Sequence, residues 1–173
     1  LSAVFPMPFD EKYHLGIIQF YAQRFSPFMS AQPTSLDEFG GVWREPSFLY
    51  HYVMSWPWRL ITWLTDNFYI QVVFMRLFSI MFVVIGLIVF RKLLAKARLS
   101  AHQANLIILI LALTPSMTLT SAHINYDNLV FLMVAVCLKL AYSASSILRT
   151  KKQLDLRLLG WLIVALLIGS ITK

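Results

Sequence analysis

Two adjacent carboxylates, a lysine and an imidazole fall within five residues, Asp10-Glu11-Lys12-Tyr13-His14. A carboxylate at a partly desolvated surface gains proton affinity and can act as a general base toward an acceptor hydroxyl. Asp10 and Glu11 are therefore the candidate catalytic groups, with Lys12 and His14 as substrate-binding neighbours. The same pair could hold a divalent cation in an oxygen-rich site, and the sequence leaves the metal unassigned. A solvated acidic pair at the start of a loop is the plainer alternative.

A second polar group, Asn125-Tyr126-Asp127-Asn128, stands just before an apolar run, with His123 two residues upstream. Asp127 and Tyr126 are candidate substrate contacts. An Asp or Asn at this place also serves as a helix cap, which is the structural alternative. Arg76 lies about two turns inside an apolar segment, where an arginine faces a polar cavity, binds an anion through its planar fork, or snorkels to the headgroups. Lys173 closes the last apolar run on the side that should be poor in bases. A lipid-phosphate ligand would suit both Arg76 and Lys173.

These groups need a scaffold, and the composition says which kind. Of the 173 residues, 58% are apolar and 13% charged, against about 25% charged in soluble domains. Mean hydropathy is +0.68, so the expected fold is an all-α, polytopic transmembrane helical bundle. Membrane helices are expected at residues 69–90, 101–120, 129–146 and 158–173, with a kink near Pro115. Residues 10–66 hold six of the eight acidic residues and four of the five tryptophans, too polar to span and too aromatic for a disordered linker. They read as a long loop in which Leu15 to Phe25 and Ser47 to Leu64 form short helices along the membrane interface. The whole chain, 1–173, reads as one transmembrane domain. Its opening at Leu1 and its end directly after an apolar run predict a piece of a longer protein.

The net charge of +7 is not a nucleic-acid signal. The bases gather instead in 91–98 (Arg91, Lys92, Lys96, Arg98) and 149–157 (Arg149, Lys151, Lys152, Arg157). Positive clusters of this kind mark the cytoplasmic side. Alternation then puts 10–66, 121–128 and Lys173 together on the extracytoplasmic face of a multi-pass protein of the cell membrane. The single Cys137 lies within an apolar run, which leaves no cysteine framework for a disulfide or metal.

With sidedness assigned, the order of motifs resembles that of C-type membrane glycosyltransferases, the group holding the protein O-mannosyltransferases and the aminoarabinose transferases of lipid A. Pro8-Phe9-Asp10-Glu11-Lys12-Tyr13-His14 resembles their acidic motif in a large first loop. Glu45-Pro46-Ser47-Phe48-Leu49-Tyr50-His51-Tyr52 is similar to their His-Pro-Pro-Leu-Tyr-Tyr stretch, with Glu-Pro-Ser in place of His-Pro-Pro. Met75-Arg76-Leu77-Phe78-Ser79 resembles an Arg-Leu-x-Ser helix start, and Leu167-Ile168-Gly169-Ser170-Ile171-Thr172-Lys173 a Gly-x-x-x-Leu-Thr-Lys helix end. Asn125-Tyr126-Asp127-Asn128 is close to a Pro-Asp-or-Asn turn in related transferases. The resemblance implies a catalytic first loop, a polyprenyl-phosphate-linked sugar as donor and an acceptor (protein, lipid or glycan) on the outer face. It implies Asp10 or Glu11 as base, and Arg76 and Lys173 as ligands of the donor phosphate.

Two rivals remain at this level. One is a transporter or flippase for a lipid-linked or anionic solute, and the other a non-catalytic membrane assembly protein. A transporter should carry broken helices and polar groups near mid-membrane, whereas the polar groups here collect at helix ends. The sidedness itself is testable in intact cells. An impermeant thiol reagent should label a cysteine placed at Ser35 and leave one at Ala97 unmodified; the reverse pattern would invert the topology.

Overall fold

The computed structural model describes residues 10–24, 26–28 and 48–172. Within them the chain is all-helical: α1 (Glu11–Ala22), α2 (Leu49–Leu64), α3 (Phe68–Lys96), α4 (Ala101–Leu113), α5 (Pro115–Ser121), α6 (Asp127–Lys151) and α7 (Leu156–Ser170). The turn-rich 33–45 stretch, Glu45-Pro46, the first nine residues and Lys173 lie outside the described residues.

Two helices, α3 with 29 residues and α6 with 25, are long and apolar enough to cross a membrane. At 1.5 Å per residue they run roughly 43 and 37 Å, against about 30 Å of bilayer hydrocarbon. The expected span at 101–120 is instead two helices, α4 and α5, bent by 66°. Pro115 opens α5, and the preceding Thr114 is pushed to an extended conformation that cannot continue α4. The expected span at 158–173 is the 15-residue α7, roughly 22 Å long and short of a full crossing. Among the described residues, then, two helices have the length and apolarity for a full span, and a third if the bent pair counts as one.

Local sequence explains the helix boundaries. The Asn67 side chain accepts from the amides of Tyr69 and Ile70 at the start of α3. Ser100 and Gln103 form a reciprocal capping box before α4. Asp155 accepts from Leu158 N–H and opens α7.

Packing then sets the directions. Asn128 at the start of α6 bonds Ser79 part-way along α3, and Ser143 further along α6 bonds Lys96 at the end of α3, so α3 and α6 run parallel. They approach closely at Gly86, where an added Cβ would meet the Phe131 ring at 2.7 Å; a small residue there lets the helices touch. α7 returns antiparallel to α6 with Gly169 beside Met133, and its end is tied to α2 by Leu49 N–H donating to Ile171 O at 3.2 Å. The starts of α2 and α6 and the end of α7 therefore meet at one end of the bundle beside Ser79, about 16 Å along α3 from its start.

That end is roofed by α1 and α2. Leu15 and Ile18 of α1 and Tyr50, Met54, Trp58 and Ile61 of α2 bury together with Val72, Met75, Ile124 and Leu129. The α1–α2 pairing is locked at the other end of α1 by Arg59, which donates to the carbonyls of Ala22 (2.7 Å), Tyr21 (2.9 Å) and Arg24. These carbonyls belong to the last turn of α1 and the residues just after it, where a cation complements the helix dipole.

Candidate functional site

The bundle end beneath α1 and α2 is unusually polar for an interior. Glu11, His14, His51, Ser55, Arg76, Ser79, His123 and Asn128 are all buried. At its centre Arg76 donates Nε to Glu11 Oε1 at 2.8 Å and Nη2 to Glu11 Oε2 at 2.7 Å. Both side chains are fully excluded from solvent. Glu11 Oε1 also accepts the backbone N–H of Ile124 at 3.2 Å, so one carboxylate joins α1, α3 and the turn that leads into α6. A fork-to-fork pair of this kind is among the stronger charge-assisted contacts, and both charges depend on it. Removing one partner of a buried pair strands the other, at a cost of about 3–5 kcal/mol.

The adjacent acid is placed quite differently. Asp10 is exposed, at the N-cap of α1, with φ 58° and no hydrogen bond from its side chain to the helix amides. Successive residues on a helix point about 100° apart, so neighbours in sequence face different surroundings. Glu11 turns inward to Arg76, and Asp10 stays at the surface above it. The two carboxylates thus divide: a general base needs a lone pair open to its substrate, which Asp10 offers and Glu11 does not. Of the two acids, Asp10 is the one open to solvent. Arg76, expected as a phosphate ligand, spends Nε and Nη2 on Glu11 instead.

Around the ion pair are two further networks. His14 Nδ1 and His51 Nε2 lie 3.0 Å apart, so one imidazole donates to the other, and the rings stack 24° from parallel. Tyr126 meets the His14 ring edge-on at 4.8 Å. On the α3 side, Ser79 Oγ bonds the Tyr50 hydroxyl at 3.1 Å and accepts from Asn128 Nδ2 at 2.8 Å. His123 Nδ1 must donate to Leu119 O at 2.7 Å, which leaves Nε2 to accept from the Asn125 amide at 3.3 Å. Burial raises the Tyr50 phenol well above its ordinary pKa, which keeps it a neutral hydrogen-bonding group.

Of the residues singled out from the sequence, Glu11, His14, Arg76 and Tyr126 converge here. Asp127 is half-buried at the start of α6, and its charge acts on His14 through space. Its own N–H is held by Asn125 Oδ1 at 2.9 Å, an Asx turn into the helix. Lys12 sits on the exposed side of α1. Lys173 lies outside the described residues, though Thr172 before it is buried. The expectation of a cavity shared by Arg76 and Lys173 therefore has no described counterpart. Among the described residues no group of three or more His, Cys, Asp or Glu is arranged to hold a metal ion.

Sequence reading left His51 and Ser79 out of the candidate site and named Asn128 only within the polar group 125–128. Ser79 was within reach: it stands one turn after Arg76 on the face that also carries Val72, Met75 and Val83. A polar residue on such a buried stripe needs a partner.

Comparison with protein families, curated proteins and solved structures finds no match.

His14 supplies a prediction with a defined sign. Its pKa is lowered to about 4 by burial, with Asp10, Asp127 and Glu11 pulling the other way. The unfolded imidazole, near 6.5, binds protons that the folded one refuses. Stability is therefore complete above pH 6.5 and falls as the pH drops toward 4. Thermal unfolding in detergent should show a midpoint that declines from pH 7 to pH 5, and His14→Phe should flatten that decline; an unchanged slope in the variant would place the sensitivity elsewhere.

Proposed function

We propose that this chain forms part of a membrane glycosyltransferase acting at the polar end of the bundle. The donor is a sugar linked to polyprenyl phosphate, and the acceptor is a hydroxyl-bearing protein, lipid or glycan at the extracytoplasmic surface. The observation that supports this reading is the division of the acidic pair. Glu11 is consumed in a buried clamp that fixes the start of α1, and Asp10 is left open on the residue before it. An exposed carboxylate held by a rigid buried support is what a general base requires.

In this reading Asp10 takes the proton of the acceptor hydroxyl as its oxygen attacks the anomeric carbon of the sugar. The bond from that carbon to the phosphate oxygen breaks, and configuration inverts. The departing lipid phosphate carries the negative charge, which nearby cations stabilise. In this reading Lys12 of α1 and Lys173 supply that stabilisation, and Arg76 acts through Glu11. A divalent cation beside Asp10 would serve the same purpose.

One observation favours a second reading. The 66° break between α4 and α5 is the kind of discontinuous helix from which transporters build substrate sites. Against it, Thr114, Thr118 and Thr120 at the break return their hydroxyls to carbonyls of the same two helices, so the break presents little polarity to a substrate. A flippase would move a lipid-linked sugar across vesicles without forming a new glycosidic bond, which separates the two.

Asp10→Asn tests the first reading cleanly. Asn is among the residues that best tolerate positive φ, and the position is exposed, so thermal unfolding should match that of the unaltered protein. Transfer from a panel of polyprenyl-phosphate-linked sugars, measured in membranes as release of polyprenyl phosphate, should fall by about 10²–10⁴-fold. Full turnover in the variant would remove Asp10 from the chemistry.

A further inference from the structure

Along α3, α6 and α7 the structure holds a feature the transferase reading does not use. α6 packs against α3 on one side and α7 on the other. Between them lies an open groove of about 450 Å³, lined by apolar side chains that include Ile85 and Val89 of α3, Met133 and Val136 of α6, and Trp161 and Ile168 of α7. No polar surface lines it. Trp161, 57% exposed, stands toward the basic end of the bundle, where α7 begins.

The helix registers place cations beyond the mouth of this groove. On α3 the stripe through Ile85 and Val89 continues at helical spacing to Lys92 and Lys96. On α7 the stripe through Ile168 and Trp161 continues back one turn to Arg157. All three bases are exposed, and the Lys96 ammonium is drawn over α6 by its 2.7 Å bond to Ser143 Oγ. Asp155, the acid nearest in sequence to Arg157, accepts from the Leu158 amide as the cap of α7. An apolar slot running along membrane helices and ending in exposed bases that form no ion pair among the described residues matches one chemistry, that of a lipid with apolar tails and an anionic head.

We propose that the α3–α6–α7 groove is a binding site for an anionic phospholipid of the leaflet at the basic end. An acyl chain lies in the groove, and the head phosphate rests on Lys96 and Arg157, with Trp161 at the level between them. Tryptophan prefers that boundary, and exposed bases next to a membrane helix attract anionic lipid. This site is separate from the polar end that carries Asp10, and it stands or falls without the transferase reading.

Native mass spectrometry of the full chain, exchanged into equal amounts of phosphatidylglycerol and phosphatidylcholine, tests it. The protein should retain phosphatidylglycerol preferentially. Lys96→Gln with Arg157→Gln should reduce that retention about fivefold per base, or about 30-fold together, and leave phosphatidylcholine unchanged. Val164→Trp, which fills the groove from a half-exposed position, should reduce retention of both lipids. Equal retention of the two lipids by the unaltered protein would overturn the proposal. So would phosphatidylglycerol retention that survives Val164→Trp, or that is displaced by glycerol phosphate, since the head alone would then account for binding.

Discussion

The polar end of this bundle depends on one contact, the bidentate pair of Glu11 and Arg76 inside an otherwise apolar interior. Neither charge is tenable there alone. An arginine some 12 Å along α3 from its start would have to reach back to the headgroups, and a buried carboxylate would have to take up a proton. Together, and with Ile124 N–H as a third party, they hold α1 across the top of α3 and seat the turn into α6. Three segments far apart in sequence are thereby fixed to within a hydrogen bond.

Other features follow from that seat. Once α1 lies on α3, His14 is carried under α2 against His51, and Tyr126 closes on the imidazole. Ser79, one turn below Arg76, meets Tyr50 and Asn128, which joins α2 and α6 to the same helix. The α1 helix is then fastened at its two ends by opposite charges, Glu11 at the start and Arg59 of α2 at the finish. Asp10 is left at the edge of this fixed body, with its backbone held in a left-handed turn. The geometry makes it a surface acid with a rigid base beneath it.

Much of the scaffold was legible in the chain. Tyr69 to Phe90 and Leu129 to Ser146 read as spans because apolar runs of that length have no other stable setting, and α3 and α6 cover both. The spacing of Leu15, Ile18, Tyr21 and Ala22 announced a helix, which α1 realises from Glu11. Pro115 signals a kink, and the structure gives it a size of 66°. The end run was read as a span from its composition, and the structure gives the shorter α7. The site was harder. Glu11 and Asp10 are chemically alike and adjacent, and what separates them is a partner 65 residues away. Arg76 was legible as an arginine that had to be answered by something, but a sequence does not say whether lipid phosphate or Glu11 answers it. Only tertiary placement makes that choice.

The central claim is that Glu11 and Arg76 act as a unit, and a double-mutant cycle measures this directly. Thermal or denaturant unfolding in detergent would be compared for Glu11→Gln, Arg76→Gln and the double variant. If the pair is a unit, each single change strands a buried charge and costs about 3–5 kcal/mol. The double variant should then be no less stable than either single one, giving a large coupling energy. Additive losses would mean that the two residues stabilise the fold independently, and the clamp that sets Asp10 in place would not exist.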